Sequence, residues 1–393
     1  MQNFTFYLPT EIVFGRATEF CVGQEVRKHG GTKVLLVYGG RSAKESGLLD
    51  RVKQALADEA LAVAEWGGAQ PNPRLDHAEA GVELALREQV DFILAVGGGS
   101  VIDTAKAIAH GTANPGVRLW DIWTGKAQLT RSLPVGAVLT IAAAGSETSD
   151  SAVLTNMEVG KKAGINTPLN RPVFAIMNPE LTCTLPKYQI ACGIADIMMH
   201  TLERYFLPDQ KNQMTDEIAE GLLRTVMANG RIAVRDPHDY DAMSEIMWCG
   251  SLSHNDLTGL GRPKDFSVHK LGHALGARFD CTHGASLTSV WGSWAEYVYR
   301  NDVGRFCHYG EKVFGLDGEI SEQNARAAIA ATVGYFREIG MPSSLSELGV
   351  GVQEDAVLRE LALDATKGDT VELSFIRRLK AEDVHQIFRM ANH

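Results

Sequence analysis

The chain has 393 residues, 45% hydrophobic and 22% charged, the balance of a globular protein with length enough for two cores. Its net charge of -10 excludes a surface built for nucleic acid or an anionic membrane, because both need clustered Lys and Arg. No run of about 18 apolar residues could span a bilayer. The N-terminus lacks a basic stretch followed by an apolar one, so no signal peptide is expected. Six cysteines (Cys21, Cys183, Cys192, Cys249, Cys281 and Cys307) lie scattered without a C-x-x-C pair, which fits reduced thiols in the cytoplasm and neither a disulfide framework nor a thiolate zinc site.

In chain order, Phe4–Leu8 and Glu11–Phe14 read as short strands joined by Pro9-Thr10. An N-terminal strand needs a partner edge, either within the chain or on a second copy. Val34–Tyr38 is an apolar run ending in Gly39-Gly40, as a buried parallel strand would be. Ala62–Trp66 and Phe92–Val96 repeat that grammar, ending in Gly67-Gly68 and Gly97-Gly98-Gly99. Leu75–Gln89 between them has helical composition. Val135–Thr140, Ala152–Thr155 and Val173–Met177 are further strand candidates. Strands and helices alternating in short units imply an α/β domain with a parallel sheet. After Leu185-Pro186 the texture becomes helical to the end, and Pro186 suits a helix start. The expected domains are therefore residues 1–185, α/β, and 186–393, all-α.

Two sets of residues carry chemistry. Gly97-Gly98-Gly99-Ser100 lies between a strand and a helix, where glycines admit a pyrophosphate close to the backbone and the helix N-terminus offers unpaired N–H groups. Ile102 stands where the Rossmann fingerprint has its third glycine, so by itself this segment is either a phosphate site or a tight turn. In the second half, Asp196 and His200 are four apart, as are His269 and His273, and His283 follows. On a helix that spacing puts two side chains on one face, as two ligands of one ion require, although an Asp/His pair at this spacing is also a common surface pair. Imidazole with carboxylate suits Zn²⁺ or Fe²⁺ better than Ca²⁺ or Mg²⁺. His29, His77 and His238 sit in polar stretches and read as solvent-facing.

The segment Gly97-Gly98-Gly99-Ser100-Val101-Ile102-Asp103-Thr104-Ala105-Lys106 resembles the G-G-G-S-x-x-D-x-x-K motif of the iron-containing alcohol dehydrogenases. Pro71-Asn72-Pro73, Gly145-Ser146-Glu147, Pro179-x-Leu181-Thr182 and Gly193-x-x-Asp196-x-x-x-His200 match that family in the same order along essentially the whole chain. The resemblance implies a dehydroquinate synthase-like two-domain fold and metal-dependent hydride transfer between a nicotinamide and a small alcohol/aldehyde pair. It implies that Gly98, Gly99, Ser100, Asp103, Thr140, Ser149 and Lys162 line the cofactor, together with Asn72. It makes Asp196, His200, His269 and His283 the ligands of one divalent metal, Fe²⁺ or Zn²⁺. His273 falls beside the nicotinamide as the candidate catalytic proton carrier, and Cys281 falls at a packing position. A symmetric homodimer is expected on the same ground.

The resemblance also puts Gly39 at the position that discriminates between cofactors. An acid at the end of that strand accepts hydrogen bonds from the NAD ribose, whereas Val37-Tyr38-Gly39-Gly40-Arg41-Ser42 carries none. Gly39 leaves room for a 2′-phosphate and Ser42 could bond it, with charge from Arg41 or Lys44; the expectation is NADP(H), with NAD as an alternative. One departure stands out: Asn178 replaces the family's usual Asp. Two other functions share parts of this pattern, a dehydroquinate synthase-like lyase and a non-catalytic nucleotide- and metal-binding protein. The lyase needs several Lys and Arg around its acidic substrate, and the metal region here offers mainly Arg262, Lys264, Lys270 and Arg278.

Overall fold

The computed structural model describes every residue except 41, 209 and 210, and leaves the side chain of residue 42 undescribed. It has two compact units, Tyr7–Thr184 and Leu185–His393, the latter with Met1–Phe6.

The first unit is built on a six-stranded parallel sheet of β1 (Glu11–Phe14), β2 (Lys33–Tyr38), β3 (Ala62–Trp66), β4 (Phe92–Gly97), β5 (Val135–Leu139) and β8 (Phe174–Met177), in the order β1-β8-β5-β4-β2-β3. β4 and β5 are buried along their whole length, and so is β2 beyond its first residue, because helices cover both faces; this is why they read as unbroken apolar runs. The strand order reverses between β2 and β4, and in open parallel sheets the crevice at such a switch point, beyond the strands' C-terminal ends, is where ligands bind. Gly39 and Gly97-Gly98 lie there.

Two expectations need correction. Phe4–Leu8 forms no strand; Phe4, Phe6 and Tyr7 are exposed, and only Glu11–Phe14 pairs, as the parallel neighbour of β8 within its own chain. Ala152–Thr155 is indeed extended, but it belongs to a separate antiparallel hairpin of β6 (Ser151–Asn156) and β7 (Lys161–Asn166). β7 escaped notice because Lys161-Lys162-Ala163-Gly164 has neither apolar alternation nor β-branched residues.

The second unit is helical among its described residues. Its central helix, Lys187–Tyr205, is buried continuously from Ile190 to Tyr205, so it has no amphipathic face, as expected of a helix surrounded by others. Tyr240–His254, Ser267–Phe279 and His283–Val298 pack on it. The last of these approaches closely enough that a Cβ on Gly284 would lie 2.1 Å from the Cys192 carbonyl oxygen. Among the described residues, no helix is long and apolar enough to cross a membrane.

Asn178 finds its reason here. Its Oδ1 accepts the Glu180 N–H at 3.1 Å and its Nδ2 donates to the buried Glu19 carboxylate at 2.9 Å. An Asp could make the first bond but would set a second carboxylate against Glu19.

Candidate metal and nucleotide sites

In the first unit the site is mostly main chain. Gly98 is the extended N-cap of the helix Gly99–Ala113, which leaves the Gly99 and Ser100 N–H groups at its open end. A Cβ on Gly98 would come within 3.0 Å of Ile141, and one on Gly99 within 3.2 Å of Ala144, so the loop after β5 closes against glycine alone. Thr140 begins that loop, its N–H bonded to the Gly97 carbonyl at 3.1 Å.

Asp103 faces inward. Its carboxylate accepts Ser146 Oγ at 2.5 Å and the Val153 N–H at 2.9 Å, which fastens β6 to the helix. Thr155 on β6 donates its N–H to the Pro73 carbonyl at 2.7 Å. With the hairpin held at both points, Lys162 Nζ on β7 reaches Asn72 Oδ1 at 3.0 Å, joining two residues expected at the cofactor but 90 apart in sequence. Lys106 is wholly buried and donates to Ser146 Oγ and the Ser151 carbonyl, both at 2.8 Å, and to the Ser149 carbonyl at 3.5 Å. Burial pulls its pKa down to about 8 against the attraction of Asp103 and Glu147. Ser149, in the same loop, is buried. At the end of β2, Lys44 Nζ lies 5.1 Å over the Tyr38 ring, near Gly39. Arg41 and the Ser42 side chain lie outside the described residues. His77, expected in solvent, instead stacks on Trp66 at 4.9 Å.

In the second unit the site is made of side chains. Asp196, His200 and His269 place ligand atoms within 4.8 Å of one another. Asp196 Oδ1 is the hub, 3.4 Å from His200 Nδ1, 3.5 Å from His269 Nε2 and 3.7 Å from His283 Nε2. His200 Nδ1 and His269 Nε2 are buried with no hydrogen-bond partner, a cost of about 1–3 kcal/mol each unless something binds them. Ligand atoms around a tetrahedral ion at ~2.1 Å stand about 3.4 Å apart, so the donors fit one divalent cation. Burial, with His254 and His269 nearby, holds the His200 pKa well below the usual range. For His269 burial also works downward, but Glu203 and Asp196 outweigh it and lift the pKa to about 9. His273, partly exposed, has its ring 5.4 Å from that of His283.

Two residues here escaped the sequence reading. Glu203 binds His269, and its position seven after Asp196 and three after His200 on one helix face was the available signal. His254 stacks on His200 at 3.9 Å from the end of another helix, for which the sequence gives no sign.

Residues 9–179 match the family model for iron-containing alcohol dehydrogenase, and residues 190–392 match that for the C-terminal part of the Fe-containing alcohol dehydrogenase family. The chain is 38% identical to NADH-dependent butanol dehydrogenase A of Clostridium acetobutylicum, covering 99% of each chain. It is 35% identical to the NADPH-dependent aldehyde reductase YqhD of Escherichia coli, over 92% of this chain and 93% of that one. The crystal structure of NADH-dependent butanol dehydrogenase A from Thermotoga maritima superposes with a TM-score of 0.95 at 35% identity, covering 100% of this chain and 99% of that one. The chain therefore belongs to the iron-containing alcohol dehydrogenase family, as a nicotinamide-dependent oxidoreductase of alcohols and aldehydes.

Proposed function

We propose that the protein reduces small aldehydes with NADPH, and oxidises the matching alcohols, at a divalent metal held by Asp196, His200, His269 and His283, with Fe²⁺ the first candidate. The observation that carries this reading is the convergence of three imidazole nitrogens on one carboxylate oxygen at 3.4–3.7 Å, with no thiolate among these donors. When bound, the metal supplies Lewis acidity at the substrate oxygen and the nicotinamide supplies the hydride. The Gly98–Ser100 turn orients the anionic pyrophosphate on a helix N-terminus, and Lys162 with Asn72 fixes the neighbouring part of the dinucleotide. His273, half in solvent beside His283, carries the proton between the substrate oxygen and water.

The choice of NADPH rests on β2. The strand ends at Tyr38 and is followed by Gly39-Gly40, with no carboxylate there, and Lys44 stands by Tyr38. A site for NAD places an acid there. The relatives carry both cofactors in their names, so the strand end is the better guide. The exposed Phe4, Phe6 and Tyr7 favour a homodimer joined through the N-terminal segment, which a monomeric mass in light scattering at micromolar concentration would exclude. The scattered cysteines favour a cytoplasmic enzyme. Neither the lyase nor the non-catalytic reading has an observation in its favour.

The test is turnover of an aldehyde panel with NADPH and with NADH, before and after metal stripping and readdition of Fe²⁺ or Zn²⁺. Activity should vanish on stripping, return with metal and be more efficient with NADPH. Equal kcat/KM for the two cofactors overturns the NADPH assignment, and full turnover by the stripped protein overturns the metal site.

A further inference from the structure

Glu203 is fully buried on the same helix as Asp196 and His200, and both of its oxygens serve one residue. Oε1 accepts the backbone N–H of His269 at 3.0 Å, and Oε2 accepts from His269 Nδ1 in a very short contact. His269 is the third residue of the helix Ser267–Phe279, so its N–H is one of the first-turn donors that no helical carbonyl can reach. A carboxylate is favoured there by the helix dipole as well. The Nδ1 bond has a second effect. With a cation bound it keeps the remaining ring proton on Nδ1 and turns the lone pair of Nε2, the nitrogen that lies 3.5 Å from Asp196 Oδ1, toward the cation.

We propose that Glu203 is a positioning residue for the metal: it fixes both the tautomer and the ring plane of His269, and so sets the affinity of a site it does not itself join. One helix then supplies two donors to the cation and, one turn on, the carboxylate that aims a third. The inference rests on the metal site proposed above. It also separates Glu203 from an ordinary helix cap, because a cap needs only the backbone bond.

Glu203→Gln tests it with little change of shape. A carboxamide has one acceptor oxygen where the carboxylate has two, and puts an NH₂ donor in place of the other, so the two His269 donors no longer each have their own acceptor. Metal affinity, measured by competition with a chelator, should fall about 10–100-fold, the usual cost of losing a partner that orients a metal-bound histidine. The visible absorption of the Co²⁺-loaded protein should shift, while affinity for NADPH stays as in the wild type. A wild-type protein that binds no metal sinks the underlying site. A variant with wild-type metal affinity and Co²⁺ spectrum, even with a lowered Tm, leaves the site standing and overturns the role of Glu203. Should the variant not fold, ¹⁵N NMR of the wild-type chain decides: a proton on His269 Nε2 in place of Nδ1 overturns the proposal.

Discussion

The two units hold their candidate ligands by different means. In the Tyr7–Thr184 unit the positions nearest the switch point are main chain and glycine, and the charged motif residues Asp103 and Lys106 are turned inward to hold a loop and a hairpin in place. In the helical unit the backbone is hidden in helices, and four side chains meet at one carboxylate oxygen. The difference follows from what each would hold. A pyrophosphate is long and anionic, and backbone N–H groups suit it. A single cation needs a few lone pairs at fixed separations, which only side chains supply. Loss of one side chain should therefore matter far more in the second unit than in the first.

The largest expected effect is that of His283→Ala. It removes one of four donors, and with it the several kcal/mol that a Lewis acid contributes at the substrate oxygen, so turnover should drop by at least about a hundredfold together with bound metal. If the variant kept wild-type metal content and rate, the helical unit would not depend on its side chains and the contrast would fail.

Next comes acid sensitivity in the first unit. His110 is buried between Asn170 Oδ1, 2.7 Å from Nε2, and Ser132 Oγ, 2.9 Å from Nδ1. Burial pulls its pKa from 6.5 to about 4, opposed by Asn170 and helped by the nearby Lys106 charge. The unfolded chain binds that proton first as pH falls, so stability is lost between about pH 6.5 and 4, by up to ~3 kcal/mol. Urea unfolding at pH 7 and pH 4.5 would measure it, and His110→Gln should flatten the difference. If wild type and variant lost stability in parallel, His110 would not be the source.

The smallest effect belongs to Gly39→Asp, which tests the backbone site with a side chain. A Cβ there meets its nearest neighbours at 3.5 Å, an ordinary contact, so the fold should accept it. The added carboxylate repels a 2′-phosphate, and KM for NADPH should rise about tenfold relative to that for NADH, or ~1.4 kcal/mol. Equal changes for both cofactors would mean that Gly39 does not meet that phosphate.

How far the sequence could be read follows the same division. Buried parallel strands ending in glycine declare themselves, and so does a run of helices after Pro186. Asp196 with His200, and His269 with His273, stand out as helically spaced pairs, but such pairs are also common on surfaces, and the grouping of Asp196, His200, His269 and His283 around one ion came from the family resemblance. Residues whose partners come from elsewhere were harder. Glu203 has its signal on one helix but its meaning on another. His254 meets His200 only through tertiary packing. The β6–β7 hairpin was half seen, because Lys162 lies in a polar strand whose place is set by Asp103 and Pro73. Phe4–Leu8 has strand composition without a strand partner in its own chain, and composition cannot tell the two apart.

The contact of Gly284 with the Cys192 carbonyl bears on how this enzyme can be altered. Any residue but glycine would drive the two helices apart at the point where one of them begins with His283. That position has no mutational freedom, and libraries meant to widen substrate scope should leave it fixed. Variation belongs on the side chains that line the site, where change does not unseat a helix. A saturation library at Gly284 would return glycine alone among its active members.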